Sequence, residues 1–71
     1  MEAQVRFGQN VRTARIALGW TQEELARQTG LASVQINRIE RGKREVRITT
    51  LLRLMDALGT SADELLDGVT V

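Results

Sequence analysis

Thr21-Gln22-Glu23-Glu24-Leu25-Ala26-Arg27-Gln28-Thr29-Gly30-Leu31-Ala32-Ser33-Val34-Gln35-Ile36-Asn37-Arg38-Ile39-Glu40-Arg41-Gly42 reads as two short helices and the turn between them. Thr21 can cap a helix start while Glu24, three residues on, reaches back to it, the reciprocal pattern of a capping box. Leu25 and Ala26 then point inward, and Gly30 stops the helix, as glycine just past a helix end commonly does. A second helix is expected from about Ser33 to Arg41, closed by Gly42.

Two short helices joined by a glycine-containing turn of a few residues make the helix-turn-helix pattern, a weak signal alone because many helical pairs share it. The second helix of the pair supplies a sharper one. Ile36 and Ile39 define an inward stripe. At about 100° per residue, Val34 falls nearly opposite, together with Asn37, Arg38 and Arg41, and Ser33 lies at the edge of that outward face. Such a face suits the major groove. Arginine pairs bidentately with guanine, asparagine with adenine, valine packs on the thymine methyl, and serine donates or accepts. The competing reading makes Val34 a stray exposed apolar residue and the arginines solubilising.

Outward from this pair the same logic gives three more helices. The first spans about Ala3 to Leu18, with Phe7, Val11, Ala14 and Leu18 as its inner stripe and Gly19 as its stop. The fourth spans about Thr49 to Leu58, with Leu51, Leu52, Leu54, Met55 and Leu58 apolar, and Gly59 ends it. Ser61 with Glu64 forms another capping box and opens a short fifth helix to about Asp67. The expected fold is all-α, a five-helix bundle in a single domain over 1–71, with its core in about 7–66 and a short tail at 67–71.

Composition narrows the function. The 71 residues contain no Cys, His or Pro. Disulfides, thiolate zinc sites and the commonest general base are therefore absent, and no catalytic residue, metal or small-molecule cofactor is expected. Asp63, Glu64 and Asp67 are explained by the dipole of the short fifth helix. Phe7 and Trp20 are the only aromatic residues, too few for a base-stacking platform. No apolar stretch reaches the roughly 20 residues of a membrane span, and Met1-Glu2-Ala3-Gln4 lacks the layout of a secretory signal. A cytoplasmic, nucleoid-associated location is expected.

The net charge of +1 hides a strong polarity. All ten basic residues fall between Arg6 and Arg53, and Arg38, Arg41, Lys43, Arg44 and Arg47 crowd one run around the loop Gly42 to Ile48. Beyond Arg53 the chain carries Asp56, Asp63, Glu64 and Asp67 and no base. Such polarity suggests a basic face for a polyanion and an acidic end pointing elsewhere; the alternative is a solvated surface helix, and charge alone does not decide between them.

Gly19-Trp20-Thr21-Gln22-Glu23-Glu24-Leu25-Ala26, Thr29-Gly30-Leu31, Ile36, Ile39-Glu40-Arg41-Gly42-Lys43-Arg44, and the later Leu51-Leu52, Ala57-Leu58-Gly59 and Glu64-Leu65-Leu66 closely resemble the helix-turn-helix family of lambdoid phage repressors and Cro proteins, the XRE family. The resemblance runs from about Phe7 to Leu66. It implies a lambda-repressor-like domain and a transcriptional regulator that reads double-stranded DNA. By position, Ser33, Val34, Asn37 and Arg38 would read base edges. Gln22, Arg41, Lys43 and Arg44 would hold phosphates, with Gln22 also bracing the neighbouring helix. Arg15 and Glu40 match a buried ion pair of some members, the alternative being two independent surface charges. The sequence departs from the family pattern at three places. Ala32 stands where a serine or threonine usually caps the reading helix, Val46-Arg47-Ile48 lacks the usual proline, and Val34 replaces a polar residue.

A homodimer on a near-palindromic site is the expected assembly, because one reading helix covers few base pairs. The pairing surface is expected at the Gly59–Ser61 turn, the fifth helix and the tail, through Leu65, Leu66, Val69 and Val71, with Val69-Thr70-Val71 free to pair as a short strand. Phage repressor, restriction–modification controller, antitoxin and chromosomal regulator all remain open roles. In the alternative reading the same fold acts mainly on a toxin or another protein partner.

Overall fold

The computed structural model describes residues 2–71. It contains α1 (Ala3–Ala17), α2 (Gln22–Thr29), α3 (Ser33–Glu40), α4 (Ile48–Leu58) and α5 (Ala62–Leu65), with no strand among the described residues. Every helix gives side chains to one core: Phe7 and Val11 from α1, Leu25 and Ala26 from α2, Ile36 and Ile39 from α3, Leu54 and Leu58 from α4, and Leu65 from α5. Burying each of the larger ones contributes about 1.5–3 kcal/mol. α3 is wedged between α1 and α2, α4 backs α2, and α5 lies along α1. No helix is long and apolar enough to cross a membrane among the described residues.

The helix ends show where local rules hold and where neighbours override them. α1 stops at Ala17, where the Leu18 N–H returns to the Arg15 carbonyl and the Gly19 N–H to that of Ile16. The chain has left the helix there, so Leu18 is exposed instead of continuing the inner stripe, and Trp20 packs on the core. Thr21 Oγ1 accepts the Glu24 N–H at 3.0 Å, as the box requires. The reciprocal half is missing, because the Glu24 carboxylate takes Arg27 Nη2 at 2.6 Å and Gln28 Nε2 at 2.8 Å instead. Ala32 has no side chain with which to cap α3, and Gln35 Oε1 accepts the Ala32 N–H at 3.0 Å, so half of a box survives.

α5 ends at Leu65, short of the expected Asp67, because α1 takes over its terminal carbonyls. Asn10 Nδ2 donates to the Leu65 and Asp67 carbonyls at 2.9 and 2.8 Å, and Arg6 Nε donates to that of Asp67 at 3.0 Å. Val69 then folds back onto the core.

The box at α5 is complete. Glu64 Oε1 accepts the Ser61 N–H at 3.1 Å, and Ser61 Oγ accepts the Glu64 N–H at 3.1 Å. The Ser61 N–H, and then its hydroxyl, hold the Glu64 carboxyl below its ordinary pKa. A carboxyl lowered on folding stabilises the native state above its unfolded pKa of about 4.3 and loses that contribution as pH falls through the lowered value. Glu64→Gln should therefore lower Tm slightly at pH 7 and converge with the parent as pH falls below about 4.5. Parallel acid limbs for the two proteins would show that the box carries no acid sensitivity.

Candidate nucleic-acid interface

α3 turns Ile36 and Ile39 into the core and leaves the opposite face open. Val34 is 53% exposed, Ser33, Arg38 and Arg41 are exposed, and Asn37 is half-buried. After Arg41, Gly42 reverses the chain with φ +68°, and a Cβ there would sit 2.7 Å from the Val5 Cα. Only glycine fits both the conformation and the approach. The Lys43 N–H comes back to the Arg38 carbonyl at 3.0 Å, which ties the basic loop to the end of α3. Lys43 and Arg44 both project into solvent.

Gln35, Arg38, Arg44, Arg47 and Thr50 line a cleft between α3 and the start of α4. Arg47 belongs to this basic wall but has no role in the sequence reading. The density of the basic run was the available signal, since neither helical periodicity nor the family motif points to this residue.

Behind the exposed face runs a chain of buried polar bonds. Arg15 donates Nη1 to the Trp20 carbonyl at 2.6 Å, Nε to Glu40 Oε2 at 2.7 Å and Nη2 to Glu40 Oε1 at 3.0 Å. Only 11% of the Arg15 side chain and 2% of that of Glu40 reach solvent. The hydrogen bonding of Arg15 to the Glu40 carboxylate raises the Arg15 pKa further, so the guanidinium stays charged. Gln22 donates Nε2 to Glu40 Oε1 at 3.2 Å, and Asn37 donates Nδ2 to Gln22 Oε1 at 3.3 Å. One network thus joins α1, α2 and α3 and ends on the outward face of α3.

Gly8 brings the α1 backbone against the end of α3. A Cβ at Gly8 would overlap the Ile39 carbonyl oxygen and lie 2.8 Å from that of Glu40. The sequence reading missed this residue, because a glycine inside an otherwise helical stretch signals nothing specific from periodicity alone.

The expected pairing residues divide. Leu65 is 1% exposed, so its side chain is part of the core and offers no surface, a correction to the expected interface. Val69 is half-buried against that core, while Leu66 and Val71 are exposed. Two more exposed apolar side chains in this half of the chain lie on α4, Ile48 at 75% and Leu52 at 56%, one turn apart.

A helix-turn-helix family model matches residues 11–65. A hypothetical transcription factor of Neisseria meningitidis is 39% identical over 57 residues, which are 80% of this chain, and the match spans only 54% of the length of that protein. The restriction–modification controller protein C.AhdI of Aeromonas hydrophila superposes with a TM-score of 0.83 at 40% identity, covering 87% of this chain and 94% of that one. The P22 c2 repressor, in complex with a synthetic operator, superposes with a TM-score of 0.80 at 35% identity over the same shares, 87% and 94%. With the fold, the paired α2 and α3 and these likenesses in agreement, the chain belongs to the helix-turn-helix family of the lambdoid repressor and Cro type.

Proposed function

We infer that this chain is a sequence-specific regulator of transcription that binds double-stranded DNA through the major groove as a twofold dimer. The observation that carries this is α3, with an outward face of exposed Ser33, Val34, Arg38 and Arg41 and half-buried Asn37, and a rear anchored by a buried ion pair. The major groove, about 12 Å wide, admits such a helix. Ser33, Val34, Asn37 and Arg38 read base edges, while Gln22, Arg41, Lys43 and Arg44 hold phosphates and set register. Arg47 joins the phosphate grip from the cleft wall. The regulator acts by occluding or recruiting at a promoter, in the cytoplasm on the nucleoid, and residues 1–71 form one binding domain.

The dimer follows from size. The domain measures 30 × 22 × 21 Å, too small to present two reading heads one helical turn, about 34 Å, apart. Two copies are needed for a near-palindromic operator. Leu66 and Val71, extended onto Ile48 and Leu52, supply the apolar surface for pairing.

Arg38→Ala and Lys43→Ala separate the two kinds of contact. Loss of the Arg38 base contact should cost about 1–3 kcal/mol on the preferred duplex and relax one base-pair preference. Loss of Lys43 should weaken all duplexes alike and flatten the salt slope by about one unit per subunit. Titration of the variants on preferred and scrambled duplexes over a range of salt tests this. Equal weakening of both duplexes by Arg38→Ala would remove it from the base readers, and full-chain binding to one half-site as tight as to two would end the dimer account.

A further inference from the structure

The buried network fixes more than the position of α3. It has a direction, set at its inner end by Arg15. A guanidinium has donors and no acceptor, so Glu40 can only accept from it, at 2.7 and 3.0 Å. Glu40 Oε1 also receives the Gln22 side chain at 3.2 Å, so that amide must turn its Nε2 toward Glu40. Its carbonyl, Oε1, then points the other way and faces Asn37 at 3.3 Å. A carbonyl can take only a donor, so Asn37 must present Nδ2 to Gln22. Reversing either amide would set oxygen against oxygen, at Glu40 or at Gln22, in a partly buried place where an unmade hydrogen bond is costly.

Asn37 lies on the reading face, half-buried, between Val34 and Arg38. With Nδ2 committed inward, its Oδ1 is the atom turned away from Gln22. We propose that Gln22 is a specificity-positioning residue, locking the Asn37 amide so that Oδ1 accepts from the exocyclic amino group of adenine or cytosine in the major groove. Guanine and thymine offer only acceptors at that edge, and they meet an oxygen there. Discrimination by Asn37 is thereby set from Arg15 through Glu40 and Gln22, none of which needs to touch that base.

This rests on the reading of α3 as the DNA-reading helix. The test is selection from randomised duplexes, followed by titration of single-base variants, for the full chain and for Asn37→Ala, Gln22→Met and Asn37→Asp. The base that loses its preference in Asn37→Ala is the Asn37 partner. In the full chain it should be adenine or cytosine on the contacted strand, by about tenfold over guanine or thymine. Gln22→Met keeps the length of the side chain and removes both of its polar ends. It should reduce preference at that one base pair to about twofold or less while the other positions keep theirs.

Asn37→Asp leaves the apolar core and the Arg15–Glu40 pair in place but sets an oxygen against Gln22 Oε1, so its melt is measured beside its base preference, and it reads polarity even if Gln22→Met folds poorly. A carboxylate only accepts, so it should keep the amino-bearing class and shift it toward cytosine. A partner base of guanine or thymine in the full chain, a change of class in Asn37→Asp, or a folded Gln22→Met with unchanged preference would each overturn the proposal while leaving the DNA-binding function standing. A chain that binds every duplex alike would overturn that function, and this proposal with it.

Discussion

Glu40→Ala is expected to destabilise the DNA-free protein by about 3–5 kcal/mol, as breaking a buried pair by removing one partner does. The native structure shows why the cost falls at the high end for an ion pair. Arg15 would keep only its bond to the Trp20 carbonyl, and its charge would remain in a place where 11% of the side chain meets water. Gln22 would lose the acceptor of its Nε2 at the same time. For a 71-residue domain, whose whole stability should be about 4–11 kcal/mol by the usual share per residue, such a loss leaves little folded margin. A denaturant melt without DNA measures it, and the double variant Arg15→Met with Glu40→Leu should recover part of the loss, because apolar pairs can replace buried ionic ones. A loss below about 1 kcal/mol would rank the pair with ordinary surface ion pairs.

Gly8→Ala should cost about 2–3 kcal/mol, the upper range for overpacking, against the gain of roughly 0.5–1 kcal/mol that alanine normally brings to a helix. The added Cβ would meet the carbonyl oxygens of Ile39 and Glu40, which are backbone atoms of the last turn of α3 and cannot rotate aside. Either α1 lifts away or that turn opens. Both movements pull Glu40 from Arg15 and shift Arg38 and Arg41 on the reading face. Lower stability and weaker DNA binding should therefore appear together in melts and duplex titrations. A variant more stable than the parent would mean that helix propensity dominates and that the close approach of the two helices is not what limits this site.

The fold was legible because its punctuation is local. Gly30 and Gly59 end their helices in left-handed turns, and Thr21 and Ser61 cap the starts of theirs, each within three residues of the helix it bounds. The outward face of α3 was legible for the same reason, since eight residues at a fixed angle settle which side Val34 takes. What escaped depends on partners distant in sequence. Leu65 looks like surface on a short acidic helix until α1 closes over it. The Glu24 carboxylate has two local offers, the helix start and Arg27, and the sequence pattern does not say which wins. Gly8 matters only because the end of α3, more than thirty residues later, lies against it. The link from Asn37 to Gln22 spans 15 positions and depends on which end of an amide faces a carboxylate, a choice made inside the folded core.

α1 carries the two ends of the molecule at once. Through Gly8 and Arg15 it holds α3, and through Arg6 and Asn10 it holds the end of α5 beside the exposed Leu66. A single rod of 15 residues therefore works as the ruler of the assembly. An extra base pair between half-sites displaces one of them by about 3.4 Å and swings it round the duplex by roughly a tenth of a turn. A loop could bend to follow such a shift. A helix bonded to both α3 and the end of α5 does not, so if two copies pair through that end, operator spacing should be as strict a criterion for binding as operator sequence.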